Sequence, residues 1–133
     1  MSAEIELRDA VLAQLRGDAA LMALVNRVYD GDPVKATTPY ILVGECAGSD
    51  WGTKNHAGRE LRLGITIYDD TQTAARIGQI LPLVHGALGQ VAAAGTGTWR
   101  VGSLVLVRSR LFGRESGRWS ALLDWRLRVL STV

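Results

Sequence analysis

The stretch "RWSALLDWRLRVL", residues 118–130, decides the fold. Its Trp119, Ala121, Leu123, Trp125, Leu127 and Val129 fall on alternate positions, while Ser120, Asp124, Arg126 and Arg128 fill those between. A period of two places every second side chain on one face of a pleated strand, so this segment predicts a strand with one face buried and the other wet. The neighbouring "WRVGSLVLVRSR" (99–110) reads as its hairpin partner across the turn "LFGRESG" (111–117). Upstream, "ELRLGITIYDD" (60–70) repeats the code, with Leu61, Leu63, Ile65 and Ile67 alternating with Arg62, Gly64, Thr66 and Tyr68. "YILVGECA" (40–47) reads as the strand before it, and the polar stretch "CAGSDWGTKNHAGRE" (46–60) reads as the loop between them.

Helical periodicity occupies the remainder. Ser2 is a candidate cap for a first helix with Glu4 and Glu6 in its opening turn, Leu7, Ala10, Val11 and Leu15 on one face, and Gly17 beyond its end. Asp18 caps a short second helix over "AALMALV". Asp70 or Thr71 starts a third, whose Ile77, Ile80, Leu81, Val84, Ala87 and Leu88 form the strongest 3.6-residue stripe in the chain; Pro82 inside it predicts a kink or break. "VYDGDPVKATTP" (28–39) reads as turn and loop, and "QVAAAGTGT" (90–98) as a small-residue connection. The expected fold is a single α+β domain over residues 1–133. It has two layers, a mainly antiparallel four-stranded sheet packed by helices, in the order α-α-β-β-α-β-β.

Composition narrows the class of function. Of 133 residues, 47% are hydrophobic and 21% charged, which suits a folded domain with its own core. A lone cysteine, Cys46, cannot form an internal disulfide, and with no secretory or transit pattern at the amino terminus the expected compartment is the cytoplasm. The uninterrupted aliphatic runs are too short to cross a bilayer, so no membrane partner is expected. Charge is unevenly spread: residues 1–99 carry 8 basic and 11 acidic groups, residues 100–133 carry 7 and 2. Copies of such a chain can attract one another head to tail.

Candidate chemistry is sparse. Cys46 and His56 are a nominal nucleophile and base, but a lone pair specifies little, and a cysteine at a strand end is ordinarily a small buried hydrophobe. His56, His85 and Cys46 lack metal-ligand spacing, Asp69 and Asp70 sit where carboxylates cap a helix, and "AAAGTGTW" lacks the pattern of a phosphate loop. No catalytic residue, cofactor or metal is therefore expected, and the chain reads as a non-enzyme. Arg100, Arg108, Arg126 and Arg128 form a dilute outward stripe, the basis of an alternative reading as a small nucleic-acid-binding module. Two polar loops remain as interface candidates. The first carries Trp51, Lys54 and His56; the second, around the last turn, carries Arg110, Arg114 and Arg118.

Taken along its length, the chain resembles the tail completion or tail terminator proteins of long-tailed bacteriophages and their relatives in gene transfer agents. The resemblance rests on "LRDAVLAQLRGDAALMALV", "VYDG", "TTPYILVGE", "DWGTK" leading to "GRELRLGITIYDD", "ARIGQILPLVHGAL" and "LVLVRSRLFGRESGRWSALLDWRLRVL". It implies a homo-oligomeric, hexameric ring on the last ring of the tail tube, contacting the tail tube protein and a head-side connector or adaptor, with DNA passing through the lumen without sequence-specific binding. It implies assembly in the bacterial host cytoplasm and residence in a phage-like particle, with no catalytic residues to carry over. A different connector or adaptor of the head-tail junction is the nearer alternative.

Overall fold

In the computed structural model, residues 2–113 and 117–133 are described. The elements are α1 (Ala3–Gly17), α2 (Ala19–Met22), β1 (Arg27–Asp30), β2 (Tyr40–Asp50), β3 (Gly58–Asp69), α3 (Ala75–Ala94), β4 (Trp99–Gly113) and β5 (Trp119–Ser131). One mixed sheet holds all five strands in the order β1-β2-β3-β5-β4, antiparallel throughout except for the parallel pair β1 and β2. The α+β class holds, with two corrections: the sheet has five strands rather than four, and a strand stands between the second helix and the strand read as first. Val28 is the one buried residue of β1. Four residues with one inward side chain show no alternation, and their pairing partner lies across residues 31–39. The sequence signal for a strand is correspondingly absent.

Alternation was legible where both the strand and its burial are long. Ala121, Leu123, Trp125, Leu127 and Val129 of β5 face the same core as Leu61, Leu63, Ile65 and Ile67 of β3, and Ile41 and Val43 of β2 join them. The helices cover that face alone. Leu7, Val11, Leu12 and Leu15 of α1 and Ile77, Ile80, Val84, Leu88 and Val91 of α3 are all buried against it.

Helix ends follow local chemistry. Ser2 Oγ accepts from the Ile5 amide at 3.2 Å and Asp18 Oδ1 from the Leu21 amide at 3.2 Å, as the sequence predicted. α3 differs from expectation in three ways. It starts at Ala75, because the buried carboxylate of Asp69 accepts from the Asp70 amide (2.8 Å) and the Thr71 hydroxyl (2.7 Å) and holds residues 70–74 in a bend. The helix continues through Pro82, since Pro82 and Gly78 are both exposed and water can serve the carbonyl that the missing N–H leaves free. The helix also takes in Gln90–Ala94 and stops at Gly95, whose φ of 69° and whose approach to the Trp99 carbonyl, 2.7 Å from where a Cβ would sit, both demand glycine. By length and hydropathy α3 could span a membrane, yet its apolar stripe is spent on the sheet.

The core should respond as a close-packed one. Leu123→Ala is expected to cost about 2–5 kcal/mol and Arg62→Ala, on the opposite face, less than about 0.5 kcal/mol, read by chemical denaturation.

Candidate functional site

β3 spans the sheet, with Gly58 opposite Leu130 at one end and Asp69 opposite Trp119 at the other. The strand's 12 residues, each rising roughly 3.3 Å from the one before, separate those ends by roughly 36 Å. The β2–β3 loop, residues 51–57, projects from the first end, and the β4–β5 turn leaves from the second. The two predicted interface clusters are therefore not brought together. They stand at opposite poles of one rigid sheet.

Short bonds order the first loop. The Trp51 amide donates to the Gly58 carbonyl (3.0 Å), the Thr53 amide to the His56 carbonyl (2.8 Å), and the His56 amide to Thr53 Oγ1 (3.2 Å), which forces Lys54 and Asn55 to the tip. Gly58 is required at the base, where an added Cβ would lie 2.9 Å from the Trp51 carbonyl oxygen. Trp51 is 38% exposed and folds back over the sheet, its ring 5.3 Å from the Arg128 guanidinium carbon. Arg128 Nε in turn donates to Glu60 Oε1 at 3.1 Å. Glu60, Arg128 and Trp51 thus form a buttress that holds an aromatic surface rigidly at this pole. A shallow cleft of about 440 Å³, lined by Asp50, Trp51, Gly52, Thr53, His56 and Leu130, lies beside it.

At the other pole the Arg110 guanidinium sits 5.7 Å from the centre of the Phe112 ring. Arg118 borders a cleft of about 300 Å³ with Tyr40, Tyr68, Asp69 and Asp70. Arg114 lies outside the described residues. Sequence reasoning missed the aromatic ladder next to Arg118: Tyr40 stacks on Tyr68 at 4.9 Å and meets Tyr29 edge-on at 5.6 Å, on the sheet face that the helices leave bare. Burial and the neighbouring tyrosine raise the Tyr40 hydroxyl pKa. The signal was available as Tyr68 opposite the buried phase of β3, but Tyr29 could join it only once β1 was known to be a strand.

No reaction centre forms from the nominated chemistry. Cys46 sits in β2 opposite Leu63 and packs on the core, where burial pushes its thiol up to about 11. His56 lies beyond the end of β2, four residues past Cys46 being Asp50, a separation along the strand of roughly 13 Å before the loop begins. A thiol so raised is not a nucleophile at neutral pH. Among the described residues no three His, Cys, Asp or Glu side chains gather as a metal set. The arginine stripe is partly neutralised: Arg108 stands opposite Asp124 in the ladder, and Arg128 is engaged by Glu60.

The ends and edges are tied by ions. Glu4 of α1 accepts from Arg59 at 2.9 Å across Gly48, where any Cβ would collide with the Glu4 carboxylate. Arg8 donates to the Val43 and Gly44 carbonyls at 2.8 Å each and also meets Asp30.

The described residues thus build a small two-layer α+β domain with one sheet face bare of helices and a loop-bearing pole at each end. The family model of the tail completion protein gp17 matches residues 9–130, and the chain belongs to that family. A search of curated protein sequences returns no match. Among solved structures, the chain is similar to one in the virion of a native gene transfer agent particle, with 23% identity, 98% of this chain and 100% of that chain covered, and a TM-score of 0.79. It is also similar to the bacteriophage SPP1 gp17 protein, with 22% identity, 94% and 89% covered, and a TM-score of 0.64. At these identities the likeness is one of fold.

The Arg59 side chain is the main reason that the Glu4 pKa is lowered in the folded protein. A carboxyl with a depressed folded pKa adds stability above its unfolded pKa, and that contribution is lost as pH falls through the folded value. Arg59→Ala should return the Glu4 carboxyl toward its ordinary range in an NMR titration and flatten the acid limb of stability; a titration identical to the parent's contradicts the pairing.

Proposed function

We propose that this chain is a structural virion-assembly protein that forms a ring at the head-proximal end of a phage-like tail tube, stops tube polymerisation and joins tail to head. The observation that carries the reading is the polar arrangement of the loops, within a member of the tail completion family. A terminator has to bind the last tube ring with one end while presenting a different chemistry to the head at the other. Trp51, Lys54 and His56 supply one end; Arg110, Arg114 and Arg118 supply the other. The work is binding, not catalysis, and needs no cofactor.

On this reading the ring is a hexamer whose partners are the tail tube protein and a head-side connector, and DNA crosses its lumen without being read. The protein assembles in the bacterial cytoplasm and remains in the particle at the head-tail junction. A gene transfer agent virion is among the structures that share its fold, which makes such a particle a natural setting. The rival is another connector or adaptor of the same junction.

Electron microscopy of particles made without the gene separates the two. Tails of uncontrolled length without heads are expected; normal-length tails that fail to join heads point to the adaptor, and wholly normal particles overturn both. Complementation refines the polarity. Alanine at Trp51, Lys54 and His56 together, and separately at Arg110, Arg114 and Arg118, should give different defects, one in capping the tube and one in attaching the head; full rescue by both variants removes the loops from the mechanism.

A further inference from the structure

Register sorts the charges of this chain between its two layers. Residues paired side by side in neighbouring strands point to the same face, so the partners of Glu60, Arg62, Gly64, Thr66 and Tyr68 mark out the face that the helices leave bare. Arg62 of β3, Arg126 and Arg128 of β5, and Arg100, Arg108 and Arg110 of β4 stand there, and Arg27, beside Tyr40, joins them at the border. Their acidic company is Glu60, Asp124 and Glu45, the last on the cleft that Arg62 and Arg108 also line. Seven arginines thus face three carboxylates. The helices and the cap between the first two carry the opposite balance, Glu4, Glu6, Asp9 and Asp18 against Arg8, Arg16 and Arg76.

Little on the bare face neutralises them. Among the described residues its one ion pair is Arg128 with Glu60 at 3.1 Å, the other three pairs engaging Arg8, Arg59 and Arg76. Arg62 stands directly opposite Arg126, a like-charge pair that works against the ladder, and the buried Nε of Arg126 has no acceptor among the described residues. Beside Arg62 lies a shallow cleft of about 380 Å³ floored by Ala47 and Gly64. The pattern selects the chemistry of a partner. A protein interface centres on apolar and aromatic anchors, whereas here the exposed Val105 and Val107 lie in the edge strand and the middle belongs to arginine. Single-stranded nucleic acid is held by rings on which bases stack, whereas here the rings are at the poles and engaged, Trp51 with Arg128, Phe112 with Arg110 and Tyr68 with Tyr40. What remains is a field of guanidinium groups suited to phosphate oxygens.

We propose that the bare sheet face binds the phosphate backbone of duplex DNA without reading its bases, with Arg62 and Arg126 at the centre and Arg108, Arg110 and Arg128 around them. A phosphate beside Arg62 and Arg126 replaces their mutual repulsion with attraction to a shared anion. The surface belongs to a single copy, while its placement in a particle rests on the ring reading above. With loops at the two ends of the ring and the strands running between them, the arginine-rich sheet face of each copy is the layer turned to the lumen, and the helices lie outside. Contacts to phosphate alone carry no sequence information and let a protein slide along a duplex, as passage through a ring requires.

Fluorescence anisotropy with two labelled duplexes of equal length and unrelated sequence tests the surface on the full chain. Both should bind alike, and affinity should fall between about 50 and 200 mM salt with a log–log slope of about −0.9 for each phosphate engaged. Arg62→Gln with Arg126→Gln should weaken binding by about tenfold or more and make the slope shallower by about 2. Arg62→Gln alone, at an exposed position, should weaken it by about threefold with the fold intact by circular dichroism, while Lys35→Gln, the same loss of charge on the loop before β2, should change it by less than about twofold. No binding at the lowest salt, or equal effects of Arg62→Gln and Lys35→Gln, overturns the proposal. Tighter binding of a single strand overturns it in favour of base stacking, and equal competition by polyglutamate overturns it in favour of an acidic protein. Particles complemented with Arg62→Glu and Arg108→Glu separate the two readings. Normal tails and heads with reduced DNA delivery are expected; normal delivery overturns the lumenal placement and leaves the ring reading standing, whereas particles that lack even the parent protein overturn the ring reading while the binding measured in solution stands.

Discussion

Twelve consecutive antiparallel pairs join β3 to β5, and the rest of the molecule depends on that ladder. It aligns the buried phase of both strands, so that Leu63 lies beside Trp125 and Ile65 beside Leu123 on the face that α1 and α3 cover. A slip of one residue would turn every one of these side chains to water. The same register determines which residues occupy the bare face and fixes how far apart the two loop-bearing poles lie.

Much of this was readable in the residues. β3, β5, α1 and the stripe of α3 each combine a long period with consistent burial, and in each the expected face is the buried one. What escaped has a common physical cause: it is decided by neighbours distant in sequence. β1 exists through its parallel pairing with β2, α3 passes the exposed Pro82 with Ile80 and Val84 held in the core on either side, and Asp69 is drawn inward to serve the Asp70 amide, the Thr71 hydroxyl and Arg76 instead of capping the helix directly. The sites show the same division. Loop residues with polar and aromatic character announce themselves locally, as Trp51 and His56 do. Their placement at opposite poles follows only from the order β3-β5-β4, which puts consecutive hairpins head to foot.

Rigidity at the first pole illustrates how small interactions add to function. An exposed tryptophan on a free loop would lose side-chain and backbone freedom on docking, a cost that reduces affinity. Here the Trp51 ring rests on Arg128, Arg128 is held by Glu60, and Gly58 lets the loop close on its own backbone. Each contact is modest at a solvent-exposed site. Together they hold the Trp51 ring in one place on the sheet.

Stopping a polymer demands asymmetry between the two ends of the stopping subunit, because a subunit with equivalent ends would propagate growth as readily as it accepts it. The antiparallel run β2-β3-β5-β4 gives this sheet two unlike ends. Strand direction alone carries one hairpin to one end and the next hairpin to the other, and each end then takes its own residues: a buttressed tryptophan with Lys54 and His56 at one, arginines beside a tyrosine ladder at the other. The lateral edges of the sheet, β1 and β4, are separate from both ends. The loops at the two ends and the ladder between them are thus independent, and loop residues can change without disturbing the core that the ladder aligns.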